Sequence, residues 1–492
     1  MAMGTKGTKG SSDPSAMARH SRESGNPAPL AFDSMKSLDP RLRGDDGNPS
    51  DPATSTALPR LRFPEFLDAR EWSVKPMDKL YSFMRNNALS RAKLNYERGA
   101  AKNIHYGDIH TKFPALFDIT KERVPFINDS EDVPNADSED YCIEGDLIFA
   151  DASEDTNDVG KSMEVVWLNG ERLLSGQHTI LARRKDETIV LRFGGHLFRS
   201  GYVRSQIKRE AQGTKVYSIS PSRLGGVQVA YPIEPAEQQK IADCLTSLDE
   251  VIAAQGRKVE ALKAHKRGLM QQLFPREGET HPRLRFPEFR NAQDWTLGKA
   301  SDIVVVLQGY GFPERLQGST DGEFPFYKVS DISACVDAGG IFLDEANNHI
   351  DAGVLEELRA KPMPVGATVF AKIGEAIRSN KRAITTRLCL VDNNAAGVKA
   401  IEGLAQDRFV YYLWCQVLLI EHAGGVVPAV NKSTIEQIAV CYPEPDEQQR
   451  IADCLSSLDT RITAETRQLA ALKTHKHGLM QQLFPAPEAA SA

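Results

Sequence analysis

Residues 237 to 275, EQQKIADCLTSLDEVIAAQGRKVEALKAHKRGLMQQLFP, return as EQQRIADCLSSLDTRITAETRQLAALKTHKHGLMQQLFP at 447 to 485, with about two thirds of the positions identical. A chain that repeats a stretch of this length folds as repeated units. The octapeptide PRLRFPEF is doubled as well, at Pro59 to Phe66 and Pro282 to Phe289, and a tryptophan, Trp72 or Trp295, follows each copy at the same distance. The unit is a variable globular segment and then a helix, present twice.

Each repeated helix carries apolar residues alternately four and three positions apart. The first series is Ile241, Leu245, Leu248, Ile252, Gln255, Val259, Leu262, Lys266, Leu269 and Leu273; the second is Ile451, Leu455, Leu458, Ile462, Glu465, Leu469, Leu472, Lys476, Leu479 and Leu483. This spacing predicts a coiled-coil seam. Roughly 33 residues make a rod about 50 Å long. A single copy would be consistent with an amphipathic helix on its own domain, whereas two matching seams in one chain predict that they pack on each other. A pseudo-two-fold axis across the rods makes them antiparallel, with a globular unit at each end. The polar seam residues Gln255, Glu465, Lys266 and Lys476 would fix register at some cost in stability.

The 492 residues suit about three domains, and the repeat resolves them: 58–235 globular, 236–276 helix, 281–445 globular, 446–485 helix and a tail at 486–492. The predicted fold class is α+β, two mixed globular domains joined by two long antiparallel helices in a pseudo-two-fold, circular arrangement. Residues 1–57 are rich in Gly, Ser, Pro, Asp and Arg and are expected to be disordered. Their RHSRESGNPAPLAFDSMKSLDPRLRGDD resembles translated intergenic repeat sequence, and a downstream start at Met17 or Met35 would keep every repeated element. No apolar run is long enough to span a bilayer, so no membrane association is expected. Seven cysteines without a CxxC pair match neither a disulfide framework nor a zinc site. The expected location is cytoplasmic.

The two variable units share frames but not interiors. IHYGDI (104–109) corresponds to PFYKVSDI (325–332), and GDLIFADASED from Gly145 to GATVFAKIGEA from Gly366, each a turn glycine, a strand and a loop. Near their ends the units share apolar positions: Ile219 with Val430, Leu224 with Ile435, Val227 with Ile438, and Val229 with Val440. Common frames around different interiors are what two binding modules of one fold look like when each reads a different target.

On the paired EQQ(K/R)IADCL(T/S)SLD and HK(R/H)GLMQQLFP helices, the paired PRLRFPEF segments and the YGDI and GDLIFADASED frames, the chain from about residue 58 resembles the DNA-specificity subunit of type I restriction–modification systems. The resemblance implies two target-recognition domains, each reading half of a bipartite site in double-stranded DNA, with the helices as a ruler. It also implies methyltransferase (modification) and restriction/translocase subunits as partners. Catalysis belongs to those partners, with S-adenosylmethionine, ATP and Mg as their cofactors and none bound by this chain. The alternative is a stand-alone pseudo-dimeric DNA-binding regulator or antirestriction protein.

Catalytic motifs are absent from the sequence. Asn-Pro occurs only at Asn26-Pro27 and Asn48-Pro49, and neither is followed by Pro-Tyr. Gly160-Lys161-Ser162 ends like a phosphate-binding loop, but Asp155 stands where the first glycine is required. The eleven histidines show no HExxH, and His265 and His475 fall at matched helix positions. The net charge of −6 argues against indiscriminate DNA coating, so local distribution matters more. Arg183, Arg184, Lys185, Arg192, Arg199, Arg204, Lys208, Arg209 and Lys215 form one basic run; Lys372, Arg378, Lys381, Arg382 and Arg387 form another.

Arg and Lys suit guanine edges and Asn and Gln suit adenine edges. IRSNKR therefore supplies Arg378, Ser379, Asn380, Lys381 and Arg382 as candidate readers in one loop. Lys161 and Ser162 are the matching candidates in the first unit. Arg204, Gln206, Lys208, Arg209 and Lys215, and Asn431 with Lys432, form further candidate sets. Tyr106 and Tyr327, at matched frame positions, either face DNA or pack internally.

Overall fold

The computed structural model describes residues 58–133 and 138–486. The tail assigned to residues 1–57, the starts at Met17 and Met35 and most of 486–492 lie outside them.

The first module is built on five strands: β1 (Tyr81–Met84), β2 (Leu116–Asp118), β3 (Leu147–Ala150), β4 (Ser162–Trp167) and β5 (Thr179–Arg184), in the order β1-β5-β3-β4-β2. Helix α1 (Gly201–Glu210) follows, and then the long helix α2 (Pro235–Leu273). The second module repeats the plan with β6 (Val304–Gln308), β7 (Phe342–Leu343), β8 (Thr368–Ala371), β9 (Arg382–Thr385) and β10 (Ala395–Ala400), in the order β6-β10-β8-β9-β7. Helices α3 (Asp407–Gln416) and α4 (Pro445–Leu483) complete it. The last pairing is parallel in both sheets and the other three are antiparallel. The two variable segments are thus one topology despite their different interiors.

The middle strands β3 and β8 are buried along their whole length, which explains why LIFA and TVFA read as continuous apolar runs rather than alternations. Alternate residues serve opposite faces: Leu147 and Phe149 join the core facing the long helices, Ile148 and Ala150 the core beneath the helix Tyr106–Thr111. Gly145 and Gly366 precede these strands with φ of +92° and +84°, a conformation that favours glycine. The matched pairs near the module ends, Ile219 and Val430, Leu224 and Ile435, Val227 and Ile438, and Val229 and Val440, are all buried.

Where the modules diverge is in a second, smaller sheet. The first has four strands in the order Leu173–Ser175, Lys102–Ile104, Phe126–Ile127 and Leu94–Asn95; the second has three, His349–Ile350, Phe324–Tyr327 and Leu390–Val391.

Helices α2 and α4 each start on a proline at their first turn and run for 39 residues, about 58 Å. Every seam position is buried or half-buried, while His265 and His475 are exposed. The pairing is antiparallel and pseudo-symmetric. Gln255 Nε2 donates to the backbone and side-chain oxygens of Glu465 at 2.9 and 2.7 Å near the centre. Lys266 pairs with Asp459 on one side, and Lys476 with Asp249 on the other. The polar seam residues thus hold register by side-chain bonds across the pair. Cys244 and Cys454 are half-buried, and all seven cysteines are free thiols.

The repeated octapeptides also have a structural reason. Arg62 donates in bidentate fashion to Glu237, both contacts at 2.7 Å, and Trp72 Nε1 reaches the same carboxylate at 3.3 Å. Arg285, Glu447 and Trp295 repeat this at 2.8, 2.7 and 3.3 Å. The partners are mostly buried, and a bidentate Arg–carboxylate pair fixes orientation as well as charge. Each module is therefore clipped at its start to the beginning of its own helix.

Each module is closed by the end of the other helix. Leu483 and Phe484 lie in the first module's core, with Phe484 edge-on to Trp72 at 6.3 Å. Leu273 and Phe274 occupy the same place in the second, with Phe274 stacked on Phe409 at 5.6 Å. Leu61 N bonds to Gln482 O and Leu284 N to Gln272 O, both at 2.9 Å. The first described residues therefore meet the last helix, and the arrangement is circular.

Candidate nucleic-acid interface

The β3–β4 loop (151–161) and the β8–β9 loop (372–381) occupy the same place in the two modules. In each, a segment preceding the long helix comes alongside. In the first module Tyr217 and Ser218 pair with Ser153 and Ala152, and Ile219 N bonds to Asp151 O at 2.9 Å. In the second, Gly374 N bonds to Pro428 O at 2.8 Å and Val430 N to Lys372 O at 2.9 Å. Residues more than fifty positions apart in sequence thus form one loop surface in each module.

This surface gathers several of the residues singled out by chemistry. Lys208 Nζ reaches Asn157 Oδ1 at 2.7 Å and is exposed, as are Arg209 and Lys215. Arg378 and Ser379 are exposed at the tip of the β8–β9 loop, with Arg378 paired to Glu375 in the same turn. Lys432 is exposed and paired with Glu436. Exposed pairs of this kind contribute about 0–1 kcal/mol, so a phosphate can replace the carboxylate partner at little expense.

Ser162, Gln206 and Arg382 are internal, and their assignment as DNA contacts is corrected accordingly. Ser162 and Arg382 open the equivalent strands β4 and β9, facing Phe149 and Phe370 across the ladder, and are 0 % and 2 % exposed. The Arg382 guanidinium lies over the Phe370 ring and donates to Asn380 Oδ1 at 2.7 Å, and burial lowers its pKa to about 10. It remains a cation, but it supports the loop from beneath. Asn380, half-buried and left-handed at φ +50°, donates to Cys415 O. Gln206 is buried and clamps the backbone of Gln228.

Further candidates are partly engaged. Lys161 Nζ is held by His110 O and Asp158. Arg204 donates to Asn157 O at 2.8 Å, and burial lowers it too to about 10. Lys381 pairs with Asp337. The Asn431 side-chain oxygen caps the short helix Lys432–Glu436 by accepting from Thr434 N at 2.8 Å. Tyr327 is fully buried and donates to Leu343 O; Tyr106 is half-buried and packs edge-on to His110.

Much of the basic run is also structural. Arg183 pairs with buried Asp146, and Arg199 donates to Ser162 O. Sequence reasoning passed over Val216, Val426 and Val427, exposed on the flanking segments at 54 %, 104 % and 61 %. The signal in the second module is Gly424-Gly425 and Pro428 bracketing two valines, a turn with an apolar tip. It passed over the acidic character of the first loop as well, where Glu154 and Asp155 are exposed beside Asn157.

Among the described residues no helix is long and apolar enough to cross a membrane, and no cluster of His, Cys, Asp and Glu is arranged to hold a metal ion.

Residues 292–474 match the family described as type I restriction modification DNA specificity domain. The chain is 24% identical over 434 residues to the putative type I restriction enzyme MjaX specificity subunit of Methanocaldococcus jannaschii, covering 84% of this chain and 93% of the relative. It is 21% identical over 309 residues to the MjaIX specificity subunit of the same organism, covering 58% and 67%. Among solved structures, the type I restriction–modification S subunit from M. genitalium superposes with a TM-score of 0.53 at 14% identity, over 87% of this chain and 99% of that one. A chain from a study of complex assembly and conformational transition in the type I R-M system gives 0.50 at 14% identity, over 85% and 98%.

Proposed function

The chain belongs to the family of type I restriction–modification DNA-specificity subunits, and from this premise we propose that its two modules each read one half of a bipartite duplex site, leaving a spacer unread. The observation that carries the proposal is the pseudo-symmetry. Two sheets of one strand order are held at opposite ends of an antiparallel helix pair, so that equivalent loop surfaces are related by a near two-fold axis. A duplex read at two half-sites makes the same demand of its reader.

The roles divide by chemistry. Arg378 and Ser379 read base edges in the second half-site, and Asn157 with Glu154 and Asp155 in the first, where carboxylates suit the cytosine amino group. Lys208, Arg209, Lys215 and Lys432 supply phosphate contacts, which fix position and carry no sequence information. Arg382, Asn380, Arg204, Gln206 and Ser162 hold the loops in shape. The exposed outer faces of α2 and α4 dock methyltransferase subunits, with restriction/translocase subunits joining the same complex. S-adenosylmethionine, ATP and Mg act in those partners, and this chain supplies the address.

Methylation-sensitive sequencing of DNA from cells expressing the chain with its methyltransferase partner tests the reading. The expected result is two modified half-sites separated by a fixed spacer. In binding measurements over several salt concentrations, Lys208→Ala should weaken all sequences alike and make the salt slope shallower by about one. Arg378→Ala should relax preference at one position of one half-site, by about 1–3 kcal/mol. Specific binding without a copurifying methyltransferase would instead favour a stand-alone regulator.

A further inference from the structure

We propose that Val426 and Val427 form an apolar reading tip that contacts thymine methyl groups in the major groove of the second half-site. The inference rests on the DNA-reading assignment above and extends it from polar to apolar recognition.

The tip is anchored rather than loose. Gly424 and Ala429 exchange both backbone hydrogen bonds at 3.1 Å, closing a short loop, and Gly425 takes φ +93° at its turn. The loop is then tied to its neighbour by the Gly374–Pro428 and Val430–Lys372 backbone bonds, at 2.8 and 2.9 Å. Backbone bonds at both flanks fix the two valines next to Lys372 and Gly374, at the start of the loop that carries the exposed Arg378. Val426 is 104 % exposed and Val427 61 %, so packing within this chain leaves most of both residues uncovered. Two adjacent valines on an anchored tip offer their burial energy to a partner instead.

The surroundings select the partner. Arg378 lies at the tip of the adjoining loop and Lys432 follows the anchor, both exposed and, among the described residues, each paired within its own turn. Cations flanking an apolar tip complement a polyanion whose interior edge is apolar, and the thymine C5 methyl is the apolar feature of the major groove. Insertion between base pairs is the other apolar mode in DNA, but it uses longer or flatter wedges such as Phe, Leu, Ile, Met and Pro. Valine is short, branched and stiff at χ1, which suits contact with a methyl group at the groove floor. The equivalent segment of the first module carries one exposed valine, Val216, after Lys215, so apolar reading is concentrated in the second.

The experiment uses the full chain with its copurifying methyltransferase subunits, and duplexes in which each thymine of the mapped second half-site is replaced singly by deoxyuridine, which removes only the methyl. At one or two positions affinity should fall about fourfold, the worth of one buried methyl group. Val426→Ala and Val427→Ala should bind the thymine duplex several-fold more weakly and lose the response to deoxyuridine at those positions. Polar reading by Arg378 should be untouched. Both positions are exposed, and equal thermal melting of variants and parent confirms that the loss is one of contact.

Indifference of the parent to every deoxyuridine overturns the proposal, as does a second half-site with no thymine. A uniform loss across sequences in the valine variants, or a change in DNA bending with no methyl response, overturns it as well. Absence of any preferred half-site in the parent is a different failure. It would sink the DNA-reading assignment itself.

Discussion

At the inner side of the first sheet, Glu164 is 1 % exposed and accepts hydrogen bonds from Gly195 N at 2.7 Å and Arg192 N at 3.0 Å. Burial outweighs these bonds and raises its carboxyl from 4.5 to about 7. Between those values the folded chain holds a proton that the unfolded chain has released. Stability from this group is therefore full below about pH 4.5 and is lost as pH rises through about 7. Glu164→Gln should flatten that slope, which in the parent amounts to a few kcal/mol. Urea unfolding followed from pH 4.5 to 8 measures it, and an unchanged slope would place the proton elsewhere. The same scale shows what sequence alone conceals. Ser162 and Arg382 look like loop polars because they follow turn-forming residues, and only strand register turns them inward. Arg378 and Ser379, at the loop tip, keep the surface position that their types suggest.

At the scale of elements the long helices were legible because a heptad pattern persists through ten seam positions in each copy, and packing the two copies on each other buries or half-buries every one. Gly145 and Gly366 likewise marked β3 and β8, since a left-handed glycine before a continuous apolar run leaves few alternatives. The small sheets were not legible. Their strands are two to four residues long, too short for periodicity to appear, and they differ between modules. The antiparallel register of α2 and α4 sharpens the ruler prediction: seven residues added to one helix would shift Lys266 away from Asp459 and Gln255 away from Glu465. Heptads inserted at facing points, after Leu248 in one helix and after Lys476 in the other, preserve the pairing and lengthen the rod by about 10 Å. The spacer should then grow by about three base pairs while the half-site bases stay the same, as methylation-sensitive sequencing would reveal. An unchanged spacer would mean that the helices do not set it.

The described residues form a ring in connectivity, with Pro59 and Pro485 bridged. A permuted chain opened between Arg276 and His281, with residue 485 joined to 58 through a short linker, should fold and modify the same bipartite site with the same spacer. Loss of one half-site in that permutant would show that chain order, beyond contact, holds a module together. Closure of the ring also has a consequence in time. The second module is capped by Leu273 and Phe274, which leave the ribosome before it does; the first is capped by Leu483 and Phe484, which emerge after both modules. Of the two modules, the one made first is thus the one whose core must wait longest for its final pieces. A message broken shortly before Leu479 would yield a polypeptide whose flaw lies at the end made first, far in sequence from the break.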